Sequence, residues 1–284
     1  MILITGATGT VGSEVVKRLS AQGIRVRAVT RHPQKAAAKW LPHVEFVKGD
    51  FDDRTSIRRA CSGVDRAFLL SNSTHHAEHQ QITFANVARK CGVRHIVKLS
   101  QLHANTDSPG RFLRYHAAVE AAIQAYGFTY TFLRPNLFMQ GVLNFRQSIA
   151  DQNTFFAAAG SAHISAVDVR DVADVAVAAL TTSSHDNKTY SLTGPAALTF
   201  TQMAHQLSKA VGRTITFTDV PPDAMRAALV DLGRSAWQAD GLVEEFAMYR
   251  RGEAAGIEPG VPGALGRAPR SFAEFARDYA PQFV

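Results

Sequence analysis

Met1-Ile2-Leu3-Ile4-Thr5-Gly6-Ala7-Thr8-Gly9-Thr10-Val11-Gly12 joins a short apolar run to a glycine-spaced turn. The residues that follow have helical period: Val11, Val15, Val16 and Leu19 share one face, and Gly23 suits the left-handed cap at the end. A strand, a glycine turn and an amphipathic helix inside a βαβ unit of about 30 residues are the context that a dinucleotide-binding loop requires. Each glycine has a separate task. Gly6 permits the tight turn off the strand, Gly9 lets the backbone approach a pyrophosphate, and Gly12 lets helix pack closely on strand. Thr8, Thr10 and Val11 complete the loop and the first helical turn, whose unpaired N–H groups and positive dipole end face the phosphates.

Outward from this loop, short β-branched runs alternate with longer amphipathic segments, the pattern of a parallel sheet wrapped by helices. Strands are predicted at 1–5, 25–30, 45–48, 66–70, 95–100 and 129–134, with helices near 55–60, 77–91 and 115–126 between them. After Arg134 the rhythm changes. Residues 136–145 read as an apolar loop or short helix, 168–180 as a helix, and 252–269 as a surface loop rich in Gly, Pro and Ala. Capping boxes at Thr199-Phe200-Thr201-Gln202 and Ser271-Phe272-Ala273-Glu274 predict two more helix starts. The fold class expected is α/β, a Rossmann-type doubly wound parallel sheet with a smaller C-terminal α/β substrate region. The boundary is placed between 1–150 and 151–284, the two parts interleaved as one structural unit.

Composition narrows the partners. The 284 residues are 46% apolar and 19% charged, which excludes disorder for most of the chain. No apolar run reaches the roughly 18 residues of a membrane span. Met1 leads straight into the first strand with no basic segment, so neither signal nor transit peptide is expected and the cytoplasm is the expected compartment. Cys61 and Cys91 read as small hydrophobes rather than a disulfide. The net charge of +7 is dispersed, which argues against nucleic acid and membrane surfaces as partners and leaves phosphorylated small ligands.

The end of the second strand sets the nucleotide preference. A carboxylate there holds the ribose hydroxyl of NAD, and an arginine accommodates the 2′-phosphate of NADP. The chain reads Val29-Thr30-Arg31-His32-Pro33-Gln34-Lys35, without a carboxylate. Arg31 offers a planar fork and Lys35 a second cation, so NADP(H) is expected in preference to NAD(H). Asp50 and Phe51 end the third strand, where they are expected against the adenine. Asp52 or Asp53 suits the cap of the next helix. Leu70 and Ser71, then Ser100 and Gln101, close the fourth and fifth strands and are expected to line the same crevice.

These residues, together with His116 to Glu120, Leu133-Arg134-Pro135-Asn136, Ala157-Ala158-Ala159-Gly160, Asp168-Val169-Arg170-Asp171-Val172-Ala173 and Tyr190-Ser191-Leu192-Thr193-Gly194-Pro195, resemble the NmrA-like family of atypical short-chain dehydrogenases and reductases. The likeness is nearest to its bacterial NAD(P)H quinone oxidoreductases and triphenylmethane reductases. It implies a nucleotide-binding domain, a smaller region closing over a substrate cleft, and no metal. Typical short-chain dehydrogenases carry a Tyr and, four residues later, a Lys; here Phe112 and His116 stand in those places.

Without that tyrosine, the reaction expected is direct hydride transfer from NADPH to an acceptor needing little acid help: a quinone, a triphenylmethane or azo dye, or an iminium. His116 and Ser100 are the candidate catalytic residues. Pro135 and Asn136 are expected beside the cofactor, and Gln101, Phe138 and Met139 toward a small aromatic substrate. His75, His76, Glu78 and His79 read as a solvated helix start rather than a metal site, and Asp168 and Asp171 as caps of the following helix. Ser100 lacks a nucleophile-elbow context, so a hydrolase built on it with His103 and His116 is not expected. The competing reading is a non-catalytic, redox-sensing NAD(P)-binding regulator, and the oligomer expected is a monomer or homodimer.

Overall fold

The structure, a computed structural model, describes residues 1–37 and 41–284. Its strands are β1 (Ile2–Ile4), β2 (Val26–Thr30), β3 (Val44–Lys48), β4 (Arg66–Leu69), β5 (His95–Leu99), β6 (Thr129–Pro135), β7 (Thr154–Ala157), β8 (Lys188–Leu192) and β9 (Thr216–Asp219). The helices of the first half are α1 (Thr10–Ala21), α2 (Pro33–Ala37), α3 (Arg54–Cys61), α4 (Ala77–Lys90) and α5 (Arg111–Ala125). Those of the second half are α6 (Arg146–Gln152), α7 (Val169–Thr181), α8 (Phe200–Val211), α9 (Pro222–Asp231), α10 (Ala236–Arg250), α11 (Gly260–Leu265) and α12 (Phe272–Tyr279). No helix of the described residues is long and apolar enough to cross a membrane.

Seven strands form one sheet in the order β3-β2-β1-β4-β5-β6-β8, and the pairs from β3 through β6 are all parallel. Reversal of strand order between β1 and β4 makes their carboxyl ends the switch point where ligands of such sheets bind. Thr5 secures this point. Its Oγ1 donates to the carbonyls of Phe68 at 3.0 Å and Leu70 at 2.9 Å, and accepts from Leu70 N at 2.8 Å.

The backbone divides into two compact, interleaved units: Met1–Ser108, Leu113–Arg134 and Val172–Tyr190 in one, and Pro109–Phe112, Pro135–Asp171 and Ser191–Val284 in the other. The chain thus passes from one unit to the other at Pro135, earlier than residue 150, and α7 returns it to the first. Within the first unit, Arg18 of α1 donates to Asp174 of α7 at 2.6 Å, which ties that returning helix to the start of the chain.

The second unit has its own apolar core around Phe155, Phe200, Ile215, Phe275 and Phe283, with β7 and β9 paired in parallel. Both capping boxes form, at Thr199 with Gln202 before α8 and at Ser271 with Glu274 before α12. The stretch 252–269 is not loop throughout, because α11 lies inside it, begun after Pro259 and ended at the left-handed Gly266.

Candidate active site

The loop after β1 shows why each glycine stands where it does. Gly6 adopts φ +60°, and a Cβ there would meet Leu70 Cγ at 2.8 Å. A Cβ on Gly12 would lie 2.1 Å from the carbonyl oxygen of Gly6, so that position excludes any side chain. Gly9 differs. Its backbone is ordinary and extended, and a Cβ would approach nothing nearer than Gly6 O at 3.4 Å. The chain's own packing requires two of the glycines; the bare backbone at the third leaves a space that only a ligand would need. Gly9 is also the N-cap of α1, with no side-chain cap and no acidic residue in the first turn. The leading N–H groups therefore keep their capacity for an anion.

Around the switch point, Arg31 and Lys35 are exposed beyond the end of β2, suited to a 2′-phosphate. Asp50 spends part of its carboxylate within its own turn, where Oδ1 accepts from Asp52 N at 3.1 Å. Asp53, not Asp52, caps α3, accepting from Thr55 N and Ser56 N; Asp52 accepts from Gln80. The Phe51 ring lies 5.8 Å from that of Phe84 in α4. Leu70 has both backbone polar groups engaged by Thr5, so it offers the loop its side chain alone.

At the end of β5, Ser100 donates its N–H to Leu133 O at 2.7 Å, but its Oγ is buried without a hydrogen-bond partner. A buried hydroxyl left unmatched costs about 1–3 kcal/mol, which a bound polar group at this carboxyl edge would offset. Together with the cradle at Gly9, this orphan hydroxyl fits a dinucleotide. Gln101 follows, half-buried in the turn.

The region beneath is built from a residue that sequence reading passed over. Lys98 of β5 is fully buried; its Nζ donates to Gln81 Oε1 and to Leu99 O, both at 3.0 Å, and shares a hydrogen bond of 2.9 Å with His116 Nδ1. Gln81 in turn donates to Ser71 Oγ at 2.8 Å. Tyr115 Oη and Ser73 Oγ share a hydrogen bond of 2.7 Å, and the Tyr115 ring lies 4.1 Å from that of His116. Burial, reinforced by the Lys98 and Arg134 cations, holds His116 well below the usual histidine range, so the ring is neutral at neutral pH. A lysine on a central strand of a parallel sheet, buried on both faces, was the available signal.

In the second unit, Phe112 is a packing residue: its ring lies 5.3 Å from Trp237, and it fills the space where a side chain at Gly241 would stand. Asn136, expected at the cofactor, has its whole carboxamide committed within this unit. Nδ2 donates to Ser165 Oγ and Ala254 O, both at 2.9 Å, and Oδ1 accepts from Leu137 N at 2.8 Å. It shapes the loop that follows. Asp168 caps α7, accepting from Arg170 N at 2.8 Å, and also accepts from Gln140 Nε2. Asp171 does not cap; fully buried, it accepts from Arg267 and Arg270. Among the described residues no group of three or more His, Cys, Asp or Glu is placed to hold a metal ion.

Phe138 and Met139 line a cavity enclosing about 910 Å³ of empty space, part of it open to solvent. Phe145, Phe156, Phe200 and Phe246 contribute to its wall, which has no charged side chain and Asn144 as its polar member.

Comparison with known proteins places this arrangement. The NmrA-like family model matches residues 1–276. The chain belongs to that family. Among its relatives, the (4-alkanoyl-5-oxo-2,5-dihydrofuran-3-yl)methyl phosphate reductase of Streptomyces griseus is 36% identical, over 100% of this chain and 99% of that one. An NAD(P)H azoreductase of Xenophilus azovorans is 33% identical, again over 100% and 99%. Of solved structures, the Citrobacter sp. triphenylmethane reductase complexed with NADP(H) superposes with a TM-score of 0.85 at 26% identity, covering 99% of this chain and 100% of that one. The Rossmann-like sheet is thus that of an NmrA-like protein.

Proposed function

We infer that this NmrA-like chain is an NAD(P)H-dependent reductase that prefers NADPH and passes hydride to a flat, apolar acceptor such as a quinone, an azo or triphenylmethane dye, or an iminium. NAD(P)H-dependent reduction is the coarse part of this reading: the three named relatives are all reductases, and the azoreductase and the triphenylmethane reductase are named with the nicotinamide cofactor. The choice of acceptor rests on the cavity lined by Phe138, Phe156, Phe200 and Phe246. Aromatic walls and the thioethers of Met139 and Met203 favour dispersion contact with a planar ring. A phosphorylated acceptor, as in the Streptomyces relative's name, meets no cation in this wall. Arg31 and Lys35 support the preference for NADPH, and Ser100 supports a polar contact with the nucleotide.

When bound, NADPH supplies the hydride; the chain's part is to hold donor and acceptor in register and to exclude water. The test is NADPH oxidation by the purified protein against quinones, azo and triphenylmethane dyes, an iminium and a phosphorylated butenolide, with NADH in parallel. Turnover of the uncharged or cationic aromatic acceptors is expected to exceed that of the phosphate. Oxidation no faster than without acceptor, across the whole panel, would sink the reading and favour the non-catalytic regulator.

A further inference from the structure

A second hollow lies in the same unit as the apolar cavity, and every residue that lines it belongs to that unit. It encloses about 410 Å³ of empty space, part of it open to solvent, against about 910 Å³ for the larger cavity. Met139, Ala166 and Met203 line both and form a shared wall. Ile164, Leu198 and Phe272 add apolar surface, and no charged side chain is among the lining residues.

Two polar side chains reach this hollow, and they differ. Ser271 is spent as the N-cap of α12: its Oγ accepts from Glu274 N at 3.2 Å and donates to Glu274 Oε2 at 2.7 Å. Gln206, half-buried on α8 three residues after Met203, has a carboxamide oxygen that is buried and accepts no hydrogen bond. The neighbouring backbone supplies no donor, because the N–H groups of Ile164 and Leu198 go to each other's carbonyls, both at 3.0 Å. A leucine would fill the place of Gln206 without an unmatched polar atom, so packing alone gives no reason for the amide.

What offsets the deficit is a ligand that brings one hydrogen-bonding group on a compact apolar body. Phe272 and the thioethers of Met139 and Met203 favour an aromatic ring, and a wall without charge disfavours an ion. A hydroxyl suits the Gln206 carboxamide at either end, since it donates to the oxygen and accepts from the nitrogen.

We propose that this hollow is a second small-molecule site, which takes an uncharged phenol with its hydroxyl on Gln206 and its ring against Phe272, Met139 and Met203. Its occupancy is read without turnover, so it stands or falls apart from the reductase reading.

Methyl NMR of protein labelled at its five methionines separates the two cavities, because Met225 lines the larger one but not the smaller. Phenol titrated into the purified protein is expected to move the Met139 and Met203 signals saturably while Met225 stays in place. Toluene, the same ring with a methyl for the hydroxyl, is expected to bind at least about tenfold more weakly, for want of the hydrogen bond. In Gln206→Leu, phenol and toluene are expected to bind within about twofold of one another. Ala273→Trp, on the exposed rim, is expected to abolish binding of both, and serves as the second variant should Gln206→Leu not fold.

Phenol no tighter than toluene on the wild type, a phenol-to-toluene ratio unchanged in Gln206→Leu, or phenol binding unchanged in Ala273→Trp would overturn the site. A Met225 signal moving in step with Met139 and Met203 would put phenol in the larger cavity and overturn it as well. So would the absence of any saturable shift.

Discussion

In the glycine loop, Gly6, Gly9 and Gly12 set the whole shape within two turns of chain, and the tightest contact, that of Gly12 on Gly6 O, is backbone to backbone. The apolar cavity is assembled instead from side chains scattered between Leu137 and Phe246, on a short 3-10 helix, β7, α8, α9 and α10. A site made of backbone is dictated locally and tolerates almost no change. A site made of dispersed apolar side chains is a by-product of packing, and its shape can drift while the fold persists. The glycine loop is accordingly the rigid half of this comparison, and the apolar cavity the adjustable half.

Four substitutions test that contrast. Gly12→Ala carries the largest expected effect, because the clash with Gly6 O involves two pieces of backbone that cannot rotate away; a loss of about 3 kcal/mol in thermal unfolding is expected. Gly9→Ala is its control. It should leave stability within about 0.5 kcal/mol yet weaken NADPH binding at least tenfold, about 1.4 kcal/mol, in a fluorescence titration. Equal destabilisation by the two would erase the distinction between a packing glycine and a ligand glycine.

Arg31→Ala comes next: NADPH binding should weaken by about 1.5–3 kcal/mol while NADH binding hardly changes, since one charge-assisted phosphate contact is removed. Parallel losses for both nucleotides would place Arg31 away from the 2′-phosphate. The smallest effect belongs to the cavity rim. Leu232 lines the cavity yet is 77% exposed, so Leu232→Gln should cost less than about 0.5 kcal/mol of stability. It should raise the acceptor KM by about 1 kcal/mol in apparent binding and leave the NADPH KM alone. A change in the NADPH KM would show that the adjustable half is not separable from the rigid one.

The same contrast governs what the sequence discloses. The strands β1 to β6 stand out because each is a short, mostly apolar run with a glycine turn on one side, and Thr199 and Ser271 announce their helices through side chains three residues apart. The pair α9 and α10 is harder to read. In α10, Gly241 interrupts the helix for the sake of the Phe112 ring, a residue far away in sequence. Lys98 is hidden for a related reason: in His95-Ile96-Val97-Lys98-Leu99 it looks like the polar member of a half-exposed strand, and only the strand's central place in the sheet makes it buried. Asp171 misleads likewise, since its partners Arg267 and Arg270 lie in a segment whose position no local pattern specifies.

Those partners bear on the order in which the protein is made. As the chain emerges from the ribosome, the Asp171 carboxylate precedes both guanidinium groups that meet it, and Phe283, fully buried in the same unit, comes later still. Until they arrive, closing the second unit would enclose a lone negative charge. The first unit has its glycine loop and β1 to β6 in hand long before. Translation therefore delivers the glycine loop and β1 to β6 before the two guanidinium groups that neutralise Asp171.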